Sequence, residues 1–344
     1  MKITIKEVAQ AANVSIATVS RVLNGKNKVK PSTREKILHA IESLNFQPDQ
    51  NARTMINKTT KTVGMLVPEL KNEYWMLLLD VIQKELWEQG YTLIIGSTDH
   101  QVEKETAFVK SFVEKRVDGI IYSSSVMESA EEMSGIIQLA KKYDIPMVTL
   151  NPSISQANCV FGDHIQGASD ATEHLIGLGH RHIAYIGGRS VSTKRELGYR
   201  NAFMMNNLVV NEALIQRIPG LPTFEAGYEA AHQLLLSGEP FTAIFCGNDV
   251  LAFGTIKALE EHGKSVPGEI AVVGYDDVHS ARLLKPALTT VRQPIQEIGR
   301  SLVELIMDSS SKNLNQTVPK KIIYRMQLIV RDSCGAGLKK EVKN

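Results

Sequence analysis

From Lys61 onward, short apolar runs alternate with longer amphipathic segments, and this alternation is the feature that most constrains the fold. Strands that alternate with helices favour parallel sheets covered by helices on both faces. Because the alternation occurs in two successive sets, before and after about residue 160, we predict two similar, doubly wound α/β lobes with a cleft between them. The predicted strands are Val63–Val67, Thr92–Gly96, Gly119–Tyr122, Pro146–Leu150, His182–Ile186, Ala243–Cys246 and Ile270–Gly274. The predicted helices span residues 73–89, 101–115, 129–142, 165–178, 194–206, 225–236 and 249–262.

Length and composition indicate a globular protein of more than one domain. The chain has 344 residues, too many for one compact core, and no apolar run approaches the roughly 20 residues that span a bilayer. Charges within the first ten residues, MKITIKEVAQ, argue against a secretory signal, so we expect a cytoplasmic protein. Cys159, Cys246 and Cys334 show no ligand spacing, and neither a zinc site nor a disulfide framework is predicted.

The net charge of +2 conceals an asymmetry between the two ends of the chain. Residues 1–61 contain 11 Lys or Arg against 4 Asp or Glu, a balance of +7, whereas the remainder contains 28 against 33, a balance of −5. A basic head on a mildly acidic body indicates that the head alone meets a polyanion such as nucleic acid.

The basic head is predicted to contain three short helices. Thr4 and Glu7 have the spacing of a capping box at the first helix. A turn at Ala12-Asn13-Val14 follows, and Ser15 caps the second helix. For the third helix, which opens at Pro31, the predicted features are a Ser32–Glu35 capping box and a buried face of Ile37, Leu38, Ile41 and Leu44.

Residues 5–24, IKEVAQAANVSIATVSRVLN, have the pattern of a helix-turn-helix, whose second helix lies in the major groove of DNA. Ile16 and Ala17 suit contacts with thymine methyl groups, and Arg21 suits paired hydrogen bonds to guanine. The alternative is an ordinary three-helix bundle with solvated charges, which the +7 balance disfavours. Phosphate contacts are predicted for Ser15, Thr18, Asn24 and Thr33.

Several runs of the sequence resemble the lactose-repressor (LacI/GalR) family of transcription regulators. The head run TIKEVAQAANVSIATVSRVLNG resembles the DNA-binding domain of that family, and IGGR followed by KRELGYRNAF, AIFCGNDVLAFGTIKAL, VVGYDD and LTTVRQP resemble its regulatory body. The likeness covers about residues 3–333 in order. It implies a homodimer on pseudopalindromic operator DNA, with a body of the periplasmic-binding-protein type.

The same resemblance implies a division of the chain into three parts. These are a helix-turn-helix domain at residues 1–46, a hinge helix and linker at 47–61, and a bilobed effector-binding and dimerisation domain at 62–333. The first lobe is expected to contain about residues 62–160 and 292–319, and the second about 161–291 and 320–333.

The hinge of the family carries a leucine that wedges into the minor groove, and Met55 stands at that place. Methionine is also apolar and can wedge between base steps. Asp49 replaces an asparagine that is usual near the DNA backbone, and phosphate would repel its carboxylate. We therefore expect a DNA contact at Met55 but not at Asp49; the alternative for Met55 is a plain apolar linker residue.

An effector pocket is implied at the C-terminal ends of the strands, where ligands of open parallel sheets bind. The positions that match effector-binding residues of the family are Tyr74, Trp75, Arg189, Arg195, Asn248 and Asp276. An aromatic ring suits the C–H surface of a sugar, and the guanidinium fork suits pairs of hydroxyls or a carboxylate. The alternatives are a core role for Trp75 and a solvated loop position for Arg189. Asp249 is predicted to cap the helix that follows it, and Asp277 to be structural.

Nothing in the sequence calls for catalysis, a metal or a cofactor. GxSxG and HExxH are absent, and IGGR is neither a GxGxxG nor a Walker A sequence. Arg, Asp and Asn without a phosphate cradle favour a neutral sugar over a nucleotide. We therefore predict a sugar-responsive repressor that is not an enzyme, with the sign of the effector left open.

The sequence leaves three alternatives to this function open. The first is a repressor gated by a phosphorylated carrier protein, as in the catabolite branch of the family, whose reading helix begins in a similar way. The second is a transport-type sugar-binding protein, which the basic head opposes. The third is a sugar-processing enzyme, which turnover of a bound sugar would reveal.

Overall fold

The computed structural model describes residues 3–23, 29–46, 59–123, 130–152, 154, 156–188, 191–310 and 318–337. The chain divides into two compact units, a head that ends at Thr60 and a body that begins at Lys61. The predicted hinge helix with Met55, and the predicted contact residues Asn24 and Arg189, lie outside the described residues.

The described residues of the head form three helices, α1 (Ile5–Ala11), α2 (Ile16–Leu23) and α3 (Pro31–Ser43). The predicted capping box closes the start of α1, because the backbone N–H of Thr4 donates to Glu7 Oε2 at 2.6 Å. The core of the head is made of small and branched apolar side chains. They are Val8, Ala9, Ala12, Val19, Val22, Ile37, Ala40 and Phe46.

The turn between α1 and α2 has the predicted geometry. Asn13 adopts a left-handed φ of 51°, which asparagine tolerates better than most residues. Ser15 Oγ accepts a hydrogen bond from the backbone N–H of Thr18 at 3.2 Å, so Ser15 caps α2 as predicted. The head therefore has the helix-turn-helix arrangement that its sequence indicates.

Two expectations for α3 are wrong. The helix begins directly after Lys30, with Pro31 in the first position, where its missing N–H costs nothing. Ser32 therefore lies within the first turn and caps nothing. Leu38 is 50% exposed because successive residues of a helix point about 100° apart, and the neighbouring Ile37 holds the buried position.

The body contains two six-stranded sheets, one in each lobe, within the part of the chain that the structure describes. The strands of the first lobe are β1 (Thr62–Val67), β2 (Thr92–Ser97), β3 (Gly119–Tyr122), β4 (Met147–Thr149), β5 (Asn158–Gly162) and β11 (Lys321–Tyr324). Those of the second are β6 (Ile183–Gly187), β7 (Ile215–Arg217), β8 (Ala243–Cys246), β9 (Ala271–Asp276), β10 (Thr289–Arg292) and β12 (Gln327–Ile329). The orders are β11-β5-β4-β3-β1-β2 and β12-β10-β9-β8-β6-β7, and all neighbours pair in parallel except β10 with β12.

Helices cover both faces of each sheet. The helices of the first lobe are α4 (Glu73–Glu88), α5 (Val102–Glu114), α6 (Ala130–Lys142) and α11 (Ile295–Ser310). Those of the second are α7 (His164–Gly177), α8 (Val191–Met205), α9 (Phe224–Leu236) and α10 (Asp249–Glu261). Each sheet has one apolar cluster on each face, so the predicted doubly wound architecture is confirmed. None of the described helices is long and apolar enough to cross a membrane.

Where the body is described, the chain passes between the lobes three times, after Gly162, after Arg292 and after Tyr324. The third crossing lies later than expected. Residues 320–324 do not belong to the second lobe, because β11 pairs in parallel with β5 and places Lys321 opposite Cys159 in the first sheet. The first lobe is thus completed by a strand that comes from near the end of the chain.

Candidate binding sites

A cavity of about 170 Å³ lies between the two lobes. Residues that follow four parallel strands contribute to its lining: Glu69 after β1, Gly188 after β6, Asn248 after β8, and Asp276 at the end of β9. The cavity therefore occupies the position at which ligands of open α/β sheets bind.

Arg195 and Asp276 form a buried ion pair in the wall of this cavity. Arg195 Nη2 donates to Asp276 Oδ1 at 3.1 Å, and Nη1 donates to the carbonyl of Gly247. The guanidinium carbon lies 3.8 Å from the centre of the Tyr275 ring. Gln293 Nε2 donates to the same carboxylate oxygen at 2.7 Å. Arg195 Nε is buried without a hydrogen-bond partner among the described residues, so this network still has an unused hydrogen-bond donor.

The backbone at Asp276 is strained. Its φ is 121°, outside the regions that L-residues favour, and Asp277 follows with φ 55°. Such strain persists only where the surroundings hold it, and it is common at ligand sites. Asp277 helps to hold it, since its carboxylate binds Arg292 Nε at 2.6 Å and also binds Arg331. Burial raises the pKa of Asp276, although the Arg195 charge opposes the shift.

The helix after β8 is capped by a different residue from the one expected. Asn248 Oδ1 accepts from the backbone N–H of Leu251 at 3.1 Å, so Asn248 caps α10 and the prediction for Asp249 is wrong. Asn248 still lines the cavity, with its amide nitrogen left for a ligand. Asp249 is buried and accepts from Val278 N at 3.0 Å and from Thr290 Oγ1 at 2.5 Å. Burial, with the nearby Asp276 carboxylate, raises the pKa of Asp249 to about 7.

Tyr74 and Trp75, in the first turn of α4, also line the cavity. Their rings meet edge to face, with centroids 4.9 Å apart. Trp75 packs against the apolar clusters of both lobes, which gives it a core contact as well as a face on the cavity. The preceding Glu73 accepts from the backbone N–H of His279 at 2.8 Å and of Ser280 at 3.3 Å. The start of α4 therefore joins the first lobe to the second.

Several lining residues were not predicted. Glu69 and His100 follow β1 and β2, so the rule that ligands bind at strand ends would have found them. His164 is half-buried, and its Nδ1 lies 3.2 Å from the hydroxyl of Tyr275. Burial and the nearby Arg195 charge hold the pKa of His164 well below its usual value. Gln293 stands at an interlobe crossing, within the run LTTVRQP that resembles the family's regulatory body, but no pocket role was predicted for it.

The predicted DNA-contacting residues of α2 lie on the outer surface of the head. Ser15, Ala17 and Arg21 are exposed, and Ile16 is 44% exposed although it is apolar. Thr18 is half-buried and its hydroxyl pairs with that of Ser15 at 2.8 Å. Thr33, on α3, is also half-buried. The opposite face of α2 carries the core residues Val19 and Val22.

Comparisons with known proteins agree with both halves of this description. Residues 4–49 match the family model "Bacterial regulatory proteins, lacI family", and residues 172–334 match "Periplasmic binding protein-like domain". The HTH-type transcriptional repressor PurR of Vibrio campbellii is 34% identical over 96% of this chain and 98% of its own length. Catabolite control protein A of Priestia megaterium is 35% identical over 94% and 96%.

Two solved structures extend the likeness to the fold of the whole chain. The Lac repressor dimer bound to operator and the anti-inducer ONPF is 26% identical, with a TM-score of 0.87 over 97% of this chain and 99% of that one. The transcriptional regulator CelR in complex with cellobiose is 27% identical, with a TM-score of 0.70 over 96% and 99%.

A helix-turn-helix head and a two-lobed binding body define a DNA-binding regulator that is controlled through its body. The chain belongs to the lacI family of bacterial regulatory proteins, and it is a DNA-binding transcriptional repressor with an effector-binding domain.

Proposed function

We propose that this repressor is controlled by a neutral sugar that binds in the cavity between the lobes. The observation that carries the proposal is the buried Arg195–Asp276–Gln293 network, which opens on the cavity beside Trp75. Guanidinium and carboxylate groups with fixed geometry suit the hydroxyls of a sugar ring. Asp276 already balances the charge of Arg195, which favours a ligand without a negative charge. CelR, a structural neighbour, holds cellobiose.

In the head, we assign base contacts to Ile16, Ala17 and Arg21 and phosphate contacts to Ser15, Thr18 and Thr33. The exposure of most of this set, above a buried face of Val19 and Val22, supports the assignment. Asn24 and Met55 are assigned to phosphate and to the minor groove on the family pattern. The assembly we propose is a homodimer on a pseudopalindromic operator, in the cytoplasm, without catalytic turnover.

The coupling we propose is a change in lobe closure. A sugar that contacts both walls of the cavity would favour one relative arrangement of the lobes, and the operator would favour one as well. Each ligand can shift this equilibrium only by its difference in affinity for the two states. The hydrogen bonds of Glu73 to His279 and Ser280 are described interactions between the lobes that opening would break.

A second candidate is gating by a phosphorylated carrier protein instead of a sugar. The observation that supports this candidate is the 35% identity to a catabolite control protein over 94% of the chain. Under this candidate the cavity would be vestigial.

The test is an anisotropy titration of a fluorescent operator, recovered by selection from random duplexes, repeated with a panel of mono- and oligosaccharides. We expect one sugar to weaken or strengthen operator binding and thereby to set the sign of the effector. Indifference to every sugar, together with a response to a phosphorylated carrier protein, would replace the sugar proposal with the second candidate. Hydrolysis or modification of a bound sugar would contradict both.

A further inference from the structure

Glu69 is a buried carboxylate on the wall that the first lobe contributes to the cavity. It lies two residues after the end of β1 and is 8% exposed. The Asn72 side chain lies close enough to lower the pKa of Glu69 by hydrogen bonding, while the oxygen of that amide caps α4 by accepting from Tyr74 N at 3.0 Å. His100 Nε2 lies 4.0 Å from Glu69 Oε1, which is beyond hydrogen-bonding distance. A carboxylate has about four acceptor positions, so most of its capacity is left for a ligand.

Glu69 differs in this respect from Asp276 on the opposite wall. Asp276 has the Arg195 guanidinium and the Gln293 amide as donors, so its charge is balanced within the protein. Glu69 has no such cation at hydrogen-bonding distance among the described residues, and burial raises its pKa. Burying a carboxylate is unfavourable unless hydrogen bonds compensate. A ligand that donates hydrogen bonds to Glu69 would supply that compensation.

The charges around the cavity restrict what such a ligand can carry. Arg195 is the only Lys or Arg among the described residues of the lining, and it is already paired. His164 is held in its neutral form by burial and by the Arg195 charge. A phosphate or carboxylate on the ligand would therefore meet two protein carboxylates and no unpaired cation in the described lining.

The volume of the cavity restricts the size of the ligand. An apolar cavity of about 150 Å³ holds one benzene ring, and the present cavity has about 170 Å³. One six-membered ring with its substituents is the matching size, and a monosaccharide fits that description.

We propose that Glu69 is a second anchor for the effector, on the wall opposite Asp276, and that it selects a single sugar ring whose hydroxyl or amino groups donate hydrogen bonds. Sugars that bear a phosphate or carboxylate are rejected at this position. The inference rests on the proposed sugar effector and adds the residue that determines its charge class.

The experiment compares the intact chain with Glu69→Gln, which keeps the shape of the side chain and removes its charge. The probes are glucose, galactose, fructose and ribose, with glucosamine, glucuronate, glucose 6-phosphate and ribose 5-phosphate as charged counterparts. Binding is measured by calorimetry after a thermal-shift screen. Glu103→Gln, on an exposed turn of α5, is the matched control.

We expect the strongest ligand of the intact chain to be neutral or to carry an amine. Glu69→Gln should weaken it by about tenfold or more, as the loss of a hydrogen bond to a charged group does. It should also reduce the preference for the neutral sugar over its anionic counterpart, an effect that general destabilisation would not produce. The unfolding temperature without sugar should not fall, because a buried charge has been removed.

Two results would overturn the inference alone: equal affinity and equal discrimination in Glu69→Gln, or strongest binding of an anionic sugar by the intact chain. If the intact chain binds none of these probes but an oligosaccharide changes operator binding, the single-ring inference is overturned and the sugar effector stands. If no sugar of either panel acts, the sugar effector itself is contradicted and the inference falls with it. Glu103→Gln should behave as the intact chain in every case.

Discussion

The head and the body of this repressor present their recognition groups in opposite ways. In the head, Ile16, Ala17 and Arg21 project from one exposed helix face, within a run of six residues. In the body, Arg195 and Asp276 are 81 residues apart in sequence and meet in a buried ion pair. Loss of a head residue should therefore remove one contact, whereas loss of a body residue should disturb its partners as well.

The largest effect is expected for Arg195→Met, which removes one partner of the buried pair. Asp276 would be left with a buried charge and only the Gln293 amide, a change that costs about 3–5 kcal/mol in comparable cases. We expect sugar binding to be lost and the free energy of unfolding to fall by that order, as measured by calorimetry and urea unfolding.

Arg300→Met provides the control for that variant. Arg300 forms an exposed pair with Glu85 at 3.3 Å, and pairs of this kind contribute about 0–1 kcal/mol. If Arg195→Met and Arg300→Met have the same free energy of unfolding, the buried network does not stabilise the folded body as predicted.

The next effect in size concerns the head. Arg21→Ala should cost about 1–3 kcal/mol of operator binding and reduce the preference for operator over scrambled duplex, because a base contact is lost. Sugar affinity in the absence of DNA should not change. Arg34 is an exposed residue of α3. If it contacts phosphate, Arg34→Ala should weaken binding to the operator and to the scrambled duplex by the same factor. An unchanged sequence preference in Arg21→Ala would remove it from the base-reading set.

A smaller effect is expected in the free energy of unfolding, which should depend on pH through a group in the body. Burial raises the pKa of Asp249 to about 7, so the folded state holds a proton that the unfolded chain has released. The stability from this proton is full below the unfolded pKa of about 3.9 and is lost as the pH rises through 7. Between pH 6 and 8 the loss should be about 1 kcal/mol, or a few °C in the unfolding temperature.

Scanning calorimetry of the intact chain and of Asp249→Asn checks this dependence. The variant should unfold with a flatter pH profile, whatever its absolute stability. In the head, the hydrogen bonds that Thr4 donates lower the pKa of Glu7, so the stability from this group is lost as the pH falls and not as it rises. An equal slope in Asp249→Asn would assign the pH dependence to other groups.

An effect of similar size is expected where the lobes meet at α4. Glu73→Gln keeps one acceptor for the His279 and Ser280 N–H groups and loses the charge, which should cost about 0.5–1.5 kcal/mol. The closed arrangement would be less populated, and the apparent sugar affinity should fall a few-fold. Glu88→Gln, at the exposed far end of the same helix, is the control. Equal affinities in the two variants would show that Glu73 does not hold the lobes together.

The contrast between head and body also explains what could be predicted from the sequence. The capping box of α1, the turn at Asn13 and the exposed face of α2 depend on residues close in sequence, and they were found. Seven of the twelve described strands were found, because buried parallel strands are apolar throughout, whereas β5, β7, β10, β11 and β12 were not predicted. Strand β11, with the sequence KIIY and only partly buried apolar side chains, gave no such signal and was assigned to the wrong lobe.

The site was only partly predictable for the same reason. Tyr74, Trp75, Arg195, Asn248 and Asp276 were expected in one pocket, and all five line one cavity, while their roles toward a ligand remain predictions. Gln293 depends on a crossing between lobes that local patterns do not reveal. Asp249 was predicted to cap α10, but Asn248 caps it in the structure. Either side chain can cap a helix, and only the packing of α10 distinguishes the two residues.

The most direct test of control through the body is the affinity of the strongest sugar for the intact chain, measured with and without saturating operator DNA. If the sugar changes operator affinity through lobe closure, linkage requires the operator to change sugar affinity by the same factor and in the same direction. We predict equal reciprocal factors. A sugar affinity that is indifferent to the operator would contradict control of the head by the cavity.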